Sequence, residues 1–432
     1  MDRNWQADLE RWLAPFAAAL GHKTRARMCP AYVAGLIGPG DRKSIQPMAA
    51  RDNGVSYDQL HHFVGCGVWD AAPLEAALRV EADKLVGGAS AWLIIDDTAL
   101  PKKGRHSVGV APQYASALGK TANCQSLVSV TLASQEVPVM VGLRLFLPES
   151  WTKDRKRMAR AGVPKDRQTP LTKPEIAIEE IDRVIASGVR FGGVLADSGY
   201  GSSGPFRQAL NKRGLLWAVG LSRRQNVYPA DVALIFPVAK TGKRRKYHIP
   251  DQPPVSAEAM LAGRKWRKIS WRRGTKGLLV CHFAACRVRL AQGHKHRMLD
   301  GRVQAMPGDE VWLVGERRSS GEQKYYVSNL PADATIRMLA AAIKARWVCE
   351  QAHQQLKEEL GLDHFEGRSW TGLHRHALMT MIAYAFLQSR RLKAAGRKKK
   401  SRRTAATTQH PSHQASHPRV LPTPSAPAMP AL

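Results

Sequence analysis

Ala91-Trp92-Leu93-Ile94-Ile95-Asp96-Asp97-Thr98 is an apolar run that stops on two acids and a turn residue. Five consecutive apolar residues with polar bounds predict a short buried strand. Gly192-Gly193-Val194-Leu195-Ala196 is a second run of this kind, and it also stops on an acid, Asp197. Residues 126–133, 137–147 and 215–221 read as further strands. Residues 174–187 read as a helix with Ile176, Ile178, Ile181, Val184 and Ile185 on its apolar side, and residues 206–213 as another. Strands interleaved with helices in this order describe a mixed α/β sheet.

Acids at the ends of buried strands need a reason here, because the chain is strongly basic. Its 432 residues carry 66 Lys and Arg against 35 Asp and Glu, a net charge of +31. A carboxylate desolvated without a partner costs several kcal/mol, so it is bonded, paired or bound to a cation. Open α/β sheets also place their sites at strand carboxyl ends. Asp97 and Asp197 are therefore the candidate site acids, although Asp-Thr and Asp-Ser-Gly are also ordinary turn chemistry. Asp96, one residue earlier, is expected on the opposite strand face in a structural role.

The third element is a helix expected over residues 334–360. Arg346, Glu350 and Lys357 differ by 4 and 11 positions, which puts all three on one helical face. Arg346 and Glu350 alone could be an i,i+4 ion pair. Carboxylates converging from three elements would instead repel unless hard divalent cations lay between them, and oxygen-only ligands select Mg²⁺ or Mn²⁺. Two such ions about 3.5–4 Å apart activate an attacking oxygen and stabilise the leaving oxygen of a phosphodiester.

These motifs resemble the insertion-sequence transposases of the DDE superfamily. Arg346, three residues, Glu350, six residues and Lys357 match a Y-x2-R-x3-E-x6-K signature, with Ile343 in place of its leading Tyr. Ile95-Asp96-Asp97-Thr98, Leu195-Ala196-Asp197-Ser198-Gly199-Tyr200, residues 324–330 before the signature helix and residues 361–368 after it also fit. The resemblance spans about residues 40–390. It implies an RNase-H-like catalytic core interrupted by a β-rich insertion. It also implies Asp97, Asp197 and Glu350 as catalytic metal ligands for Mg²⁺ or Mn²⁺, two ions by the family pattern, with Arg346 and Lys357 on DNA phosphates. The implied reaction cuts element ends and joins them to target DNA. The implied partners are double-stranded DNA, at terminal inverted repeats and at the target, and a second copy of the chain in a homodimer. A base-stacking Trp of the insertion would be Trp266, Trp271 or Trp312.

The domain expectation is a helical N-terminal domain over 1–88, core segments over 89–224 and 333–392, a basic β-rich insertion over 225–332, and a basic, then disordered, tail over 393–432. Charge is segregated accordingly. Residues 1–90 are neutral, residues 211–300 carry net +16 and residues 381–432 carry net +10. The stripes Lys243-Arg244-Arg245-Lys246 and Arg264-Lys265-Trp266-Arg267-Lys268 suit phosphate contact with base stacking. Ser56 and Gln59 have capping-box spacing after the Asn53-Gly54 turn. Residues 40–65 thus read as two short helices, helix-turn-helix-like, that recognise the element ends, while the tail adds non-specific affinity.

Competing readings are weaker. Gly119-Lys120-Thr121 imitates a P-loop end, but Tyr114 stands where Gly is required. Asp309 with Glu322-Gln323-Lys324 imitates a restriction-type endonuclease, and a non-catalytic DNA-binding descendant of a transposase is the other alternative. The longest apolar run, residues 377–387, is too short to span a bilayer, and the N-terminus lacks a signal-peptide pattern. Six scattered cysteines read as reduced core residues. A cytoplasmic, nucleoid-associated protein is expected.

Overall fold

The computed structural model describes residues 5–51, 54–134, 136–236, 247–274, 277–299, 302–407. Asn53, the stripe Lys243–Lys246 and the tail beyond Thr407 lie outside the described residues. Residues 1–388 form one unit, and 389–432 a second, whose described part is helical.

Five helices open the chain: α1 (Trp5–Ala19), α2 (Lys23–Ile37), α3 (Ile45–Arg51), α4 (Tyr57–His61) and α5 (Ala72–Val86). Ser56 caps α4 with the full reciprocal box to Gln59. Strands β1 (Trp92–Pro101), β2 (Ala111–Ala115), β3 (Lys120–Ser134) and β4 (Val137–Leu145) follow. Next come α6 (Glu149–Thr152), α7 (Arg155–Arg160), α8 (Lys173–Ala186), β5 (Gly193–Ala196), α9 (Ser198–Gly201), α10 (Gly204–Lys212) and β6 (Trp217–Leu221).

The strand order β4-β3-β1-β5-β6 defines the core: β1 is antiparallel to β3, β3 to β4, while β5 and β6 run parallel to β1. This is the mixed, RNase-H-like sheet that the sequence resemblance implies. Val-, Ile- and Leu-rich strands suit it because both faces are covered.

The insertion comprises β7 (Asn226–Pro229), the two-residue strands β8 (Leu234–Ile235), β9 (Ile249–Pro250) and β10 (Val255–Ser256), α11 (Ala257–Ala262), β11 (Arg267–Gly274), β12 (Gly277–Leu299), β13 (Arg302–Arg317) and β14 (Gln323–Ser328). It is continuous with the core, since β14 pairs antiparallel with β6 and carries β13 and β12 into the same sheet. Gly119, at φ +63°, ends a 3-10 turn and Lys120 begins β3. A P-loop would need a helix to open there, so that resemblance fails.

The long helix expected over 334–360 is two helices, α12 (Ile336–Ala345) and α13 (Trp347–Glu358), hinged at Arg346. The insertion grips this hinge. Glu316 of β13, fully buried, accepts from Lys344 of α12, from Arg318 at 3.1 Å and from Tyr326 at 2.9 Å. Burial pushes its carboxyl up, but these three donors more than offset that and hold it below the ordinary range. Arg272 of β11 stacks on Trp347, 4.0 Å from the ring centre.

The last helix, α14 (Trp370–Thr407), extends beyond the expected 373–392 and includes residues read as disordered. Its first half shares a core with the N-terminal helices. Tyr32 bonds His376 at 2.8 Å, and the buried Arg375 donates to Gly67 O at 2.6 Å and to Trp69 O at 2.5 Å.

Burial holds His353, His374 and His376 neutral, each lowered to about 4. Between about pH 6.5 and 4 the unfolded chain binds protons at all three sites that the folded chain refuses. Stability should therefore fall as pH drops through that window, by up to three protons' worth of slope. Urea midpoints measured from pH 7 to 4 check this, and replacing His353, His374 and His376 together by Gln should flatten the profile.

Candidate active site

β5 pairs with β1 only as far as Ala196 opposite Ile95. Beyond that point one edge of β1 is open while its other edge stays paired to β3, with Asp96 opposite Ser129 and Asp97 opposite Val128. Both acids are thus inside the strand, not after it as the sequence reading had them. Asp197 is the residue at which β5 stops. It caps the short α9, accepting from Gly199 N at 2.9 Å and Tyr200 N at 3.3 Å.

Alternation along the strand separates the two β1 acids. Asp96 faces α13: its Oδ2 accepts from Arg346 and from Cys349 Sγ at 3.1 Å, and its Oδ1 from Asp97 N at 2.8 Å. The second arm of the Arg346 guanidinium donates to Glu350. One cation therefore bridges Asp96 and Glu350. Asp97 faces the other way, paired with Lys173 at the start of α8 and bonded by the Tyr200 hydroxyl. The expected opposite faces are present, but the face shared with Glu350 belongs to Asp96.

A cavity of about 520 Å³ collects these groups. Asp96, Asp97, Asp197, Glu350 and Glu358 line it, with only Arg346 and Lys357 as cations. All five residues singled out from sequence (Asp97, Asp197, Arg346, Glu350, Lys357) therefore share one cleft. An acidic cleft in a chain of net +31 is the reverse of its surroundings.

Electrostatics agree with the geometry. Burial raises the Asp197 carboxyl, Asp96 raises it further, and Arg346 pulls it back; Asp97 contributes least. Arg346 is held protonated against burial, chiefly by Asp96 and also by Glu350 and Asp197. Asp96 and Asp197 thus feel one another more than Asp97 and Asp197 do.

Three contributors escaped the sequence reading. Lys173 and Tyr200 hold Asp97. His353, one turn beyond Glu350, reaches Ser129 Oγ at 2.8 Å, and that hydroxyl donates to Asp96 O at 3.0 Å. With its hydrogen committed, Ser129 must accept from His353, so the imidazole carries its proton on Nε2. An i,i+3 Glu-x-x-His pair was visible in the sequence; its partner on β3 was not.

Among the described residues no three His, Cys, Asp or Glu side chains stand in metal-holding geometry; Arg346 pairs with Asp96 and Glu350, and Lys173 with Asp97. The donor set itself, carboxylate oxygens crowded enough to raise Asp197, suits a hard divalent cation. The three insertion tryptophans are each faced by a cation of the chain: Trp266 by Arg317 at 4.3 Å, Trp271 by Lys344 at 5.0 Å and Trp312 by Arg287 at 5.1 Å. The restriction-type constellation does not assemble. Gln323 pairs with Arg317, eight residues along β13 from Asp309, or roughly 26 Å.

Comparison with known proteins points the same way. Residues 15–278 match the family profile described as DDE superfamily endonuclease, a span that includes Asp96, Asp97 and Asp197 and ends before α13. A probable transposase for insertion sequence element IS701 from Microchaete diplosiphon is 36% identical over 197 residues. That match covers 45% of this chain and 48% of that protein, so the chain spans about half the length of this relative. Two solved structures share weaker likeness. A piggyBac transposase synaptic complex with hairpin DNA is 11% identical at a TM-score of 0.39, over 91% of this chain and 74% of that one. The NurA nuclease from Sulfolobus solfataricus is 9% identical at 0.26, over 66% and 86%. No helix among the described residues is long and apolar enough to cross a membrane.

Proposed function

Because the chain belongs to the DDE superfamily of endonucleases, we propose that it is an insertion-sequence transposase that cuts DNA at element ends and joins them to target DNA. The observation that carries this reading is the acidic cleft at the open edge of β1 in a chain of net +31. Asp96, Asp197 and Glu350 are the carboxylates that would hold Mg²⁺ or Mn²⁺, which when bound supplies Lewis-acid activation of the attacking oxygen and stabilisation of the leaving one. Asp96 replaces Asp97 in this role because Asp96 shares Arg346 with Glu350 and dominates Asp97 at Asp197.

The remaining residues orient this set. Ser129 and His353 fix the β1 backbone at Asp96, and the α9 amide groups fix Asp197. Lys173 and Tyr200 hold Asp97 on the far face, where it adds negative field without leaving its partners. Lys357 lines the cleft from α13 and would contact a DNA phosphate. Double-stranded DNA is the substrate, bound by a homodimer.

Supercoiled plasmid carrying the element's own ends tests the reading. Mg²⁺-dependent nicking at those ends, absent in Asp197→Asn, is the expected result; equal nicking of a plasmid without them would refute end-specific cleavage. Lys357→Ala should weaken end binding and lower the salt slope by about one phosphate contact. An unchanged slope with normal nicking would return Lys357 to a surface role.

A further inference from the structure

Beyond the acids the cleft continues along β1, with Thr98 and Ala99 in its wall. β1 ends at Pro101, and the segment after it carries Lys103 and Arg105, both exposed. Helix α7 docks on that segment: Arg157 donates to Arg105 O at 2.8 Å while stacking on Trp151. Its Arg155, Lys156 and Arg160 point outward, and Arg368 joins the same corner through Val108 N–Arg368 O at 3.1 Å. These six exposed cations have no ion pair to an acid among the described residues. Of the nearby acids, Glu149 pairs with Lys153, Asp166 with Arg167 and Glu366 with Arg42, while Asp154 caps α7.

Such a ridge costs self-repulsion, and Arg155 and Lys156 stand at the amino end of α7, where the helix dipole disfavours cations. Asp154 caps α7 through Arg157 N at 2.9 Å and offsets part of this, one carboxylate against six cations. We propose that this ridge, made by residues 103–105, α7 and Arg368, is a docking track for the DNA duplex arm that leaves the cleft along β1. The inference rests on the cleft being a DNA-cutting site. It assigns the arm's contact to a surface distinct from the basic stripes of the insertion and from the tail.

The geometry sets the scale. Lys103 lies seven positions beyond Asp96, at most roughly 23 Å along an extended chain. At about 3.4 Å per nucleotide on one strand, the ridge meets phosphates about seven nucleotides from the scissile bond.

The test uses the full chain and a labelled duplex carrying the element end, with the cleavage point central and each arm shortened in turn from twenty to four base pairs. Arg155→Ala/Lys156→Ala/Arg160→Ala alters only exposed side chains. Its salt slope should fall by about two to three, and its affinity should become insensitive to shortening one particular arm, which weakens the wild-type chain markedly. A matched variant of the insertion, Arg264→Ala/Lys265→Ala/Lys268→Ala, should keep the wild-type dependence on that arm. If the α7 variant retains the wild-type slope and arm dependence, or if neither arm matters to the wild type, the track is overturned. Plasmid nicking separates this from the function itself: nicking at element ends with an unaltered α7 profile sinks the track alone, and absence of nicking sinks the underlying reading.

Discussion

Asp96→Asn should abolish cleavage at element ends, by at least about 10³-fold, while Asp97→Asn retains a measurable fraction. Losing a ligand of a catalytic cation forfeits several kcal/mol of transition-state stabilisation, and each 1.36 kcal/mol is tenfold in rate. Asp197→Asn and Glu350→Gln should match Asp96→Asn. Duplex binding should survive in all of them, because each change removes a negative charge from a DNA-facing cleft. Asp97 is held by Lys173 and Tyr200 on the other face of the strand, so its amide analogue loosens that corner and leaves Asp96 in place. Single-turnover cleavage of labelled end duplex measures the ranking. Inactivity of Asp97→Asn with robust cleavage by Asp96→Asn would restore the assignment expected from the sequence.

Arg346→Ala should both destabilise the fold and tighten metal binding. The guanidinium, 23% exposed, is the counter-charge of Asp96, 13% exposed, and its other arm holds Glu350. Removing one member of a largely buried pair leaves an uncompensated charge, about 2–4 kcal/mol here after allowing for partial exposure. The same vacated carboxylates should bind Mn²⁺ about tenfold more tightly, since a unit charge about 4 Å away is worth up to roughly 4 kcal/mol at an effective dielectric near 20. Cleavage should still fall, because the guanidinium that the metal displaces would no longer be available to a DNA phosphate. Urea unfolding and calorimetric Mn²⁺ titration read the two effects separately. Unchanged Mn²⁺ affinity would mean that Arg346 does not compete for these oxygens.

Much of this architecture was legible because apolar periodicity reports burial. The strand through Ile94, the helix carrying Ile176 and Ile181 and the Ser56 capping box were all visible as local patterns. Helices α2 and α5 were not, since Ala-rich segments with Pro30 or isolated Leu residues give a weak stripe. The extent of β1 was misread because Asp96 and Asp97 look like a strand end; an open edge beside β5 lets them stay in the strand. The break at Arg346 was also hidden, for it is made by Glu316, Arg272 and Trp271 arriving from distant sequence. Which acid of the doublet faces Glu350 depended on that same unseen register.

Anomalous diffraction from Mn²⁺ in a crystal of the full chain with an uncleavable end duplex tests the central claim most directly. The account predicts manganese in the β1 cleft, ligated by Asp96, Asp197 and Glu350, with Arg346 displaced from both carboxylates. Manganese held by Asp97 without Asp96, or DNA bound with no manganese in this cleft, would contradict it.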